Sequence, residues 1–441
     1  MKYTFWLLIC CFCVTANAQH NPEQKAGSKL WEVFLSSRVA LTNRIPLHYL
    51  GTKPADSLKA SAQDTLERVL VRDLTLSGMF NLRLPNLPPD TSIGGQMEER
   101  MTYLEGEFAS DSDSCRVSML LRSQLTDESF WKENYDFRPE RSRAVAHRIS
   151  ADVIRMMTGE PSVTQTRIAF IGYAGGIKEV FSTTFDGFEL FKHTHEENTI
   201  LSPAWSPDGT KIAFTSFLRD QADLYVLSLD EGSVTPLISA PGVDQAPDWS
   251  QDNQRIAFSS SADGNSEIYV CRIDGTEIRR LTYSWAIETS PSWSPTGHEL
   301  AFTSDRLGRP QVFIMDADGA NQRRLTTEGE YNDSPAWSPK GDLIAYVRRC
   351  DDGFQIFVTD PKGENHVKLT SGPGDNLGPT WSPDGLRIAF TSNRIGTKQI
   401  YTMDVFGHNE ERLTNLRMSC SNPTWSPVLN VETEKSITTE Q

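Results

Sequence analysis

Six tryptophans in this chain keep a spacing that never slips. Trp205, Trp249, Trp293, Trp337, Trp381 and Trp425 are each 44 residues apart. A catalytic motif is rarely copied so literally, whereas a structural unit that must stack on copies of itself often is. Seven residues after each of the first five comes a small apolar triplet, as in Ile212-Ala213-Phe214 and Ile388-Ala389-Phe390. A sixth triplet, Ile168-Ala169-Phe170, precedes the first tryptophan in the same phase. Each element therefore occurs six times, with the two ends offset.

Each repeat reads as four short strands. The first ends in the tryptophan and turns at Asp208-Gly209, Thr296-Gly297, Lys340-Gly341 or Asp384-Gly385, where glycine supplies the positive φ of a tight hairpin. The apolar triplet is the second strand. The third is "EIYVC", "QVFIM", "QIFVT" or "QIYTM", alternating as a half-buried strand does. A second turn follows at Gly187, Gly232, Gly275, Gly319, Gly363 and Gly407, and a fourth strand carries "RRLT", "VKLT" or "ERLT". Four strands per 44-residue unit predict a propeller blade. The end offset predicts that the strand around Trp425 completes the first blade and closes the ring. The fold class is mainly β, a six-bladed β-propeller preceded by a small α/β domain.

The propeller is expected over residues 161–428, a polar tail over 429–441 and the smaller domain over 19–160. In that domain, Asp56 to Gly78 carries an amphipathic helix pattern with caps at both ends, and Pro139 opens a second helix that Gly159 ends. "MTYLEGEFAS", "CRVSMLLRSQL" and "SFWKENYDF" alternate like a meander. Residues 84 to 100, with Pro85, Pro88 and Pro89, read as an irregular loop, and "LWEVFLSSRV" contains one short strand. The polar leader from Gln19 to Lys29 is either a floppy end or a docking peptide.

Residues 1–18 read as a secretory signal peptide: Lys2, a short apolar run and the small-x-small site Ala16-Asn17-Ala18. A lipoprotein alternative, acylated at Cys10 or Cys11, rests on the loose lipobox "LLIC". Cleavage leaves Cys115, Cys271, Cys350 and Cys420 of the seven cysteines. They are widely spaced, with no zinc pattern, and read as small buried or semi-buried apolar residues. No later segment is apolar enough to span a membrane, so a soluble, monomeric mature chain is expected. A net charge of −15 and the lack of a basic cluster exclude a broad nucleic-acid footprint.

No nucleophile elbow, metalloprotease motif or phosphate loop occurs, so no enzyme, cofactor or metal is expected. His193 and His195, with Glu196 and Glu197, form a weak metal candidate against a solvated-loop reading. "DADG" at Asp316 to Gly319 sits where every repeat turns and lacks the other ligands of a calcium loop. The tryptophans are read as packing between blades rather than as sugar platforms. Five residues before each tryptophan stand Ile200, Asp244, Glu288, Asn332, Asn376 and Cys420. Symmetry predicts a ring around the channel mouth, where loops carry specificity. Contact with a partner or ligand is weighed there against solvated loop residues.

The repeat "P-x-W-S-P-D-G-x-x-I-A-F", the junction "MMTGEPSVTQTRIAF" and the helix end "VRDLTLSGMFNL" together resemble the TolB family, the periplasmic components of the Tol–Pal system. The resemblance implies a non-enzymatic adaptor that keeps the outer membrane intact and constricting during division. It implies binding of the peptidoglycan-associated lipoprotein Pal at the propeller mouth. Matching loops place Val243, Asp244, Ala246, Glu288 and Thr289 at that contact, and the same ring adds Asn332 and Asn376. It also implies that the N-terminal leader binds TolA, although the leader here is longer and more polar than the family's. The section from Met97 to Leu104 departs as well, lacking the small-residue helix before "GEF". The alternative is a secreted propeller that binds or cleaves a carbohydrate or peptide.

Overall fold

The computed structural model describes residues 45–54, 60–84, 101–111, 113–195, 198–219 and 221–429. The signal peptide, the leader, "LWEVFLSSRV", the cap at Asp56, the loop from Pro85 and the tail beyond Leu429 lie outside them.

Two helices lie against one five-stranded sheet in the first domain. The strands are β1 (Ile45–Pro54), β2 (Phe80–Arg83), β3 (Thr102–Ser110), β4 (Cys115–Ser123) and β5 (Ser129–Phe137), in the order β2-β1-β3-β4-β5. The expected meander is β3-β4-β5, antiparallel throughout. Sequence reasoning missed β1 and β2, which pair in parallel. Their partners are remote in the chain, so no hairpin signal marks them. Helix α1 (Ala60–Leu76) buries Ala62, Leu66, Val69, Leu70 and Leu74 on one stripe. Helix α2 (Ser142–Thr158) follows a short 3-10 turn at Pro139–Arg141 and stops at Gly159, whose φ is 76°. Both helices pack on Leu47, Leu104, Val117 and Leu121 of the sheet.

Six four-stranded antiparallel sheets follow, and they are the blades. Blade one takes Arg167–Ala174, Ile177–Thr184 and Leu190–Lys192 from its own segment and Ser419–Trp425 from the chain's far end. Ring closure is thus a strand pairing, Trp425 opposite Ile168 and Ser419 opposite Tyr173. Closure removes two open strand edges. Blades two to six begin with the inner strands Ile200–Trp205, Asp244–Trp249, Glu288–Trp293, Asn332–Trp337 and Asn376–Trp381.

The triplet and the tryptophan explain one another. Within Ile212-Ala213-Phe214 the outer two side chains pack with Trp205 and Tyr225 in their own blade. Ala213 points the other way, into the cluster of Trp249, Ile256 and Phe258 in the next blade. Ala257 meets Trp293, Ala301 meets Trp337, Ala345 meets Trp381 and Ala389 meets Trp425 in the same manner. A methyl group opposite an indole leaves room for the larger ring. All six repeat tryptophans are buried, in agreement with the packing reading.

The second turn has a steric reason of its own. Gly319 has φ 91°, and a Cβ there would collide with the carbonyl oxygen of Leu281 in the preceding blade. Gly187, Gly275, Gly363 and Gly407 meet Leu413, Leu237, Leu325 and Leu369 in the same way. The turns at Gly187 and Gly407 also carry the first domain. Arg72 of α1 pairs with Glu411 at 2.7 Å, and Arg387 donates to the Leu76 carbonyl at 3.2 Å. Asp186, buried, takes Arg143 and lies 3.3 Å from His147 Nε2, both on α2.

Candidate partner-binding rim

Each inner strand runs from one face of the ring to a Trp-Ser turn at the other, followed by proline everywhere but at Trp249-Ser250-Gln251. The six turns enclose a cavity of about 230 Å³. Their serines are committed to the turns: Ser206, Ser250 and Ser382 donate to Asp208, Asp252 and Asp384 at 2.5 to 2.6 Å. A hydroxyl held this way serves backbone geometry.

The opposite face is built from the connections between blades and from the loops joining second to third strands. The two loop sets are stitched together. Val243 N–H donates to Ser261 Oγ at 2.8 Å, and Ile287 N–H donates to Asp305 Oδ1 at 2.8 Å. Asn265 Nδ2 donates to the carbonyls of Ser284 and Ala286 at 2.9 and 2.7 Å. This scaffold displays apolar side chains to water. Trp285 is 80 % exposed and Tyr283 77 %, and the Arg280 guanidinium sits 4.6 Å from the centre of the Tyr283 ring. Val243, Ile287, Leu307 and Phe217 are exposed on the same sector, blades two to four. Sequence reasoning passed over Tyr283 and Trp285. The available signal was "TYSWAI", which carries a tryptophan out of phase with the 44-residue series.

The six residues five before the tryptophans are not a ring of solvated side chains around the channel. Ile200, Asp244, Glu288, Asn332, Asn376 and Cys420 are all buried, each at 1 % exposure or less. They start the inner strands and face the neighbouring blade. Asn332 Nδ2 donates to Gln311 Oε1 at 2.9 Å, and Asn376 Nδ2 to Gln355 Oε1 at 2.8 Å. Arg306 pairs with Glu288 at 3.0 Å. Burial nevertheless holds the Glu288 carboxyl above its usual range, against the pull of Arg306. Val243 is exposed, while Ala246 and Thr289 are half-buried. Ala246 has φ 53° at a bulge that recurs at Ser202, Ser290, Ser334, Gly378 and Asn422.

The histidines do not meet as a metal pair. His193 lies against Phe191 and Trp205, 2.8 Å from Ser182 Oγ through Nε2. Burial lowers its pKa to about 3, so it is a packed residue and not part of a solvated loop. His195 is exposed, and residues 196 and 197 lie outside the described set. Among the described residues no cluster of three or more metal-ligating side chains occurs. Cys271, Cys350 and Cys420 are free thiols; Cys115, Cys271 and Cys420 are buried and Cys350 partly so. Burial pushes the Cys271 thiol up to about 12 and the Cys420 thiol to about 11. No described helix is long and apolar enough to cross a membrane.

Residues 154–429 match the family model described as TolB beta propeller domain. The chain belongs to the TolB beta-propeller family. It is 35 % identical over 217 residues to the "Protein TolB homolog" of Chlorobium luteolum, covering 46 % of this chain and 49 % of that protein. Against the "Tol-Pal system protein TolB" of Methylobacillus flagellatus it is 32 % identical over 193 residues, 42 % of this chain and 45 % of that one. The chain thus spans about half the length of the curated relatives it matches. The crystal structure of TolB from Acinetobacter baumannii superposes with a TM-score of 0.72 at 24 % identity, covering 87 % of this chain and 97 % of that chain. That likeness shows the fold, first domain and propeller together.

Proposed function

We propose that this chain is a periplasmic protein-binding scaffold of the Tol–Pal system, acting without catalysis to maintain outer-membrane integrity and envelope constriction during division. The observation that carries the proposal is the exposed apolar sector of the rim. Large aromatic side chains fixed on a rigid loop and open to water are what a protein partner desolvates most profitably. Pal is the partner assigned to this rim. Val243, Ala246 and Thr289 touch it, together with Tyr283, Trp285 and Ile287. Asp244, Glu288, Asn332 and Asn376 act from beneath by fixing the loops. The N-terminal leader, outside the described residues, is assigned to TolA.

Calorimetric titration of the mature chain with the periplasmic domain of Pal from the same organism tests the reading. Micromolar or tighter binding is expected. Trp285→Ala weakens it by about 2 kcal/mol or more while leaving the unfolding free energy within about 0.5 kcal/mol of wild type. No heat of binding at several temperatures, with the propeller folded, defeats the assignment of Pal.

A further inference from the structure

Every blade stacks a ring of its second strand on a ring of its third, from Phe170 on Phe181 in blade one to Phe390 on Tyr401 in blade six, with ring centres 5.8 to 6.2 Å apart. Five of the third-strand rings, Tyr225, Tyr269, Phe313, Phe357 and Tyr401, are buried, each at 7 % exposure or less. Phe181 is only half-buried. In blades four, five and six an arginine closes the stack. The guanidinium carbons of Arg306, Arg348 and Arg394 lie 4.8, 4.3 and 4.7 Å from the centres of Phe313, Phe357 and Tyr401. In blade two Leu218 packs against the cluster that holds Tyr225, and in blade three Tyr269 donates to Asp263 at 2.6 Å.

Arg306 and Arg394 are held by the same three positions. Their Nε–H groups donate to Ser304 and Ser392 at 2.8 and 2.9 Å. One terminal nitrogen meets Gln322 in blade four and Glu410 in blade six. The other meets Glu288 and Asn376 at 3.0 and 2.9 Å. Counted in steps of 44, blade one has Ala174 in place of the arginine, and Gly172, Leu190 and Cys420 in place of its three acceptors. Gly172 also stands where Arg348 springs from blade five. The cation and the groups that would hold it are missing together. What remains is a pocket of about 600 Å³ whose lining includes Tyr173, Phe181, Leu190, Leu416, Arg417 and Met418.

The pocket opens on the rim face, between the hairpin after the strand Arg167–Ala174 and the connection into the closing strand Ser419–Trp425. Tyr173 and Leu190 are 47 % and 38 % exposed, apolar surface that a partner can take out of water. Arg417 on the wall is exposed and, among the described residues, forms no ion pair. The same is true of Lys398, whose carbonyl accepts the Cys420 N–H at 2.8 Å. On a chain of net charge −15, two unpaired cations beside an apolar pocket favour an acidic partner. A planar group covers the ring in blades four to six, and a planar group fits the vacant place in blade one. We propose that blade one carries a socket for a protein partner, seating an aromatic side chain of that partner on Phe181 and pairing an adjacent carboxylate with Arg417. The socket is separate from the aromatic sector of blades two to four, and its test involves no Pal.

That test is a methyl NMR titration of the mature chain, isotopically enriched at its methionine methyl groups, with a capped dipeptide of phenylalanine and glutamate. A saturable shift of the Met418 methyl signal is expected. The capped dipeptide of phenylalanine and lysine is expected to bind about threefold more weakly, and Arg417→Glu reverses that order. Ala174→Leu, which copies Leu218 of blade two, is expected to fill the socket and abolish the shift. Leu190→Glu, which copies Glu410 of blade six, serves where Ala174→Leu does not fold. No shift at Met418, a shift that these variants leave intact, or equal binding of the two dipeptides overturns the proposal.

Discussion

Asp248 accepts the backbone N–H of Trp293 through Oδ2 at 2.7 Å, a bond between residues 45 positions apart in neighbouring blades. Ser292 does the same for Trp337 at 3.0 Å, and Thr424 for Trp205 at 3.3 Å across the ring closure. At Asp248, Ser292 and Thr424 the residue before the tryptophan is therefore a latch on the next blade. Ala204 and Ala336 carry no side-chain oxygen, and there the indole compensates: Trp249 and Trp381 donate Nε1–H to the Ala204 and Ala336 carbonyls at 3.1 and 2.9 Å.

Replacing Asp248 tests the latch. Asp248→Ala leaves the Trp293 N–H without its acceptor, and a loss of about 1–3 kcal/mol is expected in urea unfolding. Asp248→Ser, which copies Ser292, is expected to recover most of it. Withdrawal from water pushes the Asp248 carboxyl up to about 7, against the pull of the two backbone N–H groups it faces. Its ionisation is therefore disfavoured in the fold, and its contribution falls as pH rises from the unfolded range near 4 through 7. The difference in stability between wild type and Asp248→Ser is expected to follow that curve.

Ring closure rests on a short segment. Trp425 is buried against Ile168 and Phe170, and its Nε1–H donates to Thr166 Oγ1 at 2.8 Å. Ser426 Oγ accepts the Arg167 N–H at 2.8 Å. Trp425→Ala removes a large buried ring, at a cost of about 3–5 kcal/mol. Truncation before Ser419 leaves the strand Arg167–Ala174 as an open edge. Self-association on size exclusion is the expected result, and a stable monomeric truncation would show that the ring does not depend on this closure.

The first domain is fastened to the propeller through a buried polar cluster. His147 Nδ1 lies 2.7 Å from Asp73, and Ser150 donates to the same oxygen at 2.9 Å. Asp186 on the propeller accepts from Arg143 and from Thr184 and stands beside His147 Nε2. Removing one member of a buried charge set strands the others, so Asp186→Ala is expected to cost about 3–5 kcal/mol. Small-angle scattering on the folded variant is expected to show the first domain displaced from the ring. An unchanged envelope would place the fastening at Arg72 and Arg387 instead.

The spacing of the tryptophans determined the blade, the number of blades and the closure by the chain's last strand. Those features depend on local turn chemistry and on a period of 44 residues, both written along the chain. Hairpin glycines, the apolar triplets, α2 and the β3-β4-β5 meander were legible for the same reason. β1 and β2 were not, because a parallel pairing with a distant strand leaves no short-range signature.

Burial at the head of each inner strand was decided by tertiary structure alone. Asp244, Glu288, Asn332 and Asn376 occupy the position that a symmetric ring assigns to solvent, yet the preceding blade covers each of them. Polarity in the sequence marked the row as special without saying which way it faced, since a polar side chain satisfied by a neighbour and one satisfied by water read alike. The converse holds at Tyr283 and Trp285, aromatic residues that composition assigns to a core. The stitching of their loop to Asn265 and Asp305 holds them in water. Period and turn chemistry are properties of the chain; which face a residue shows is settled by what the fold packs against it.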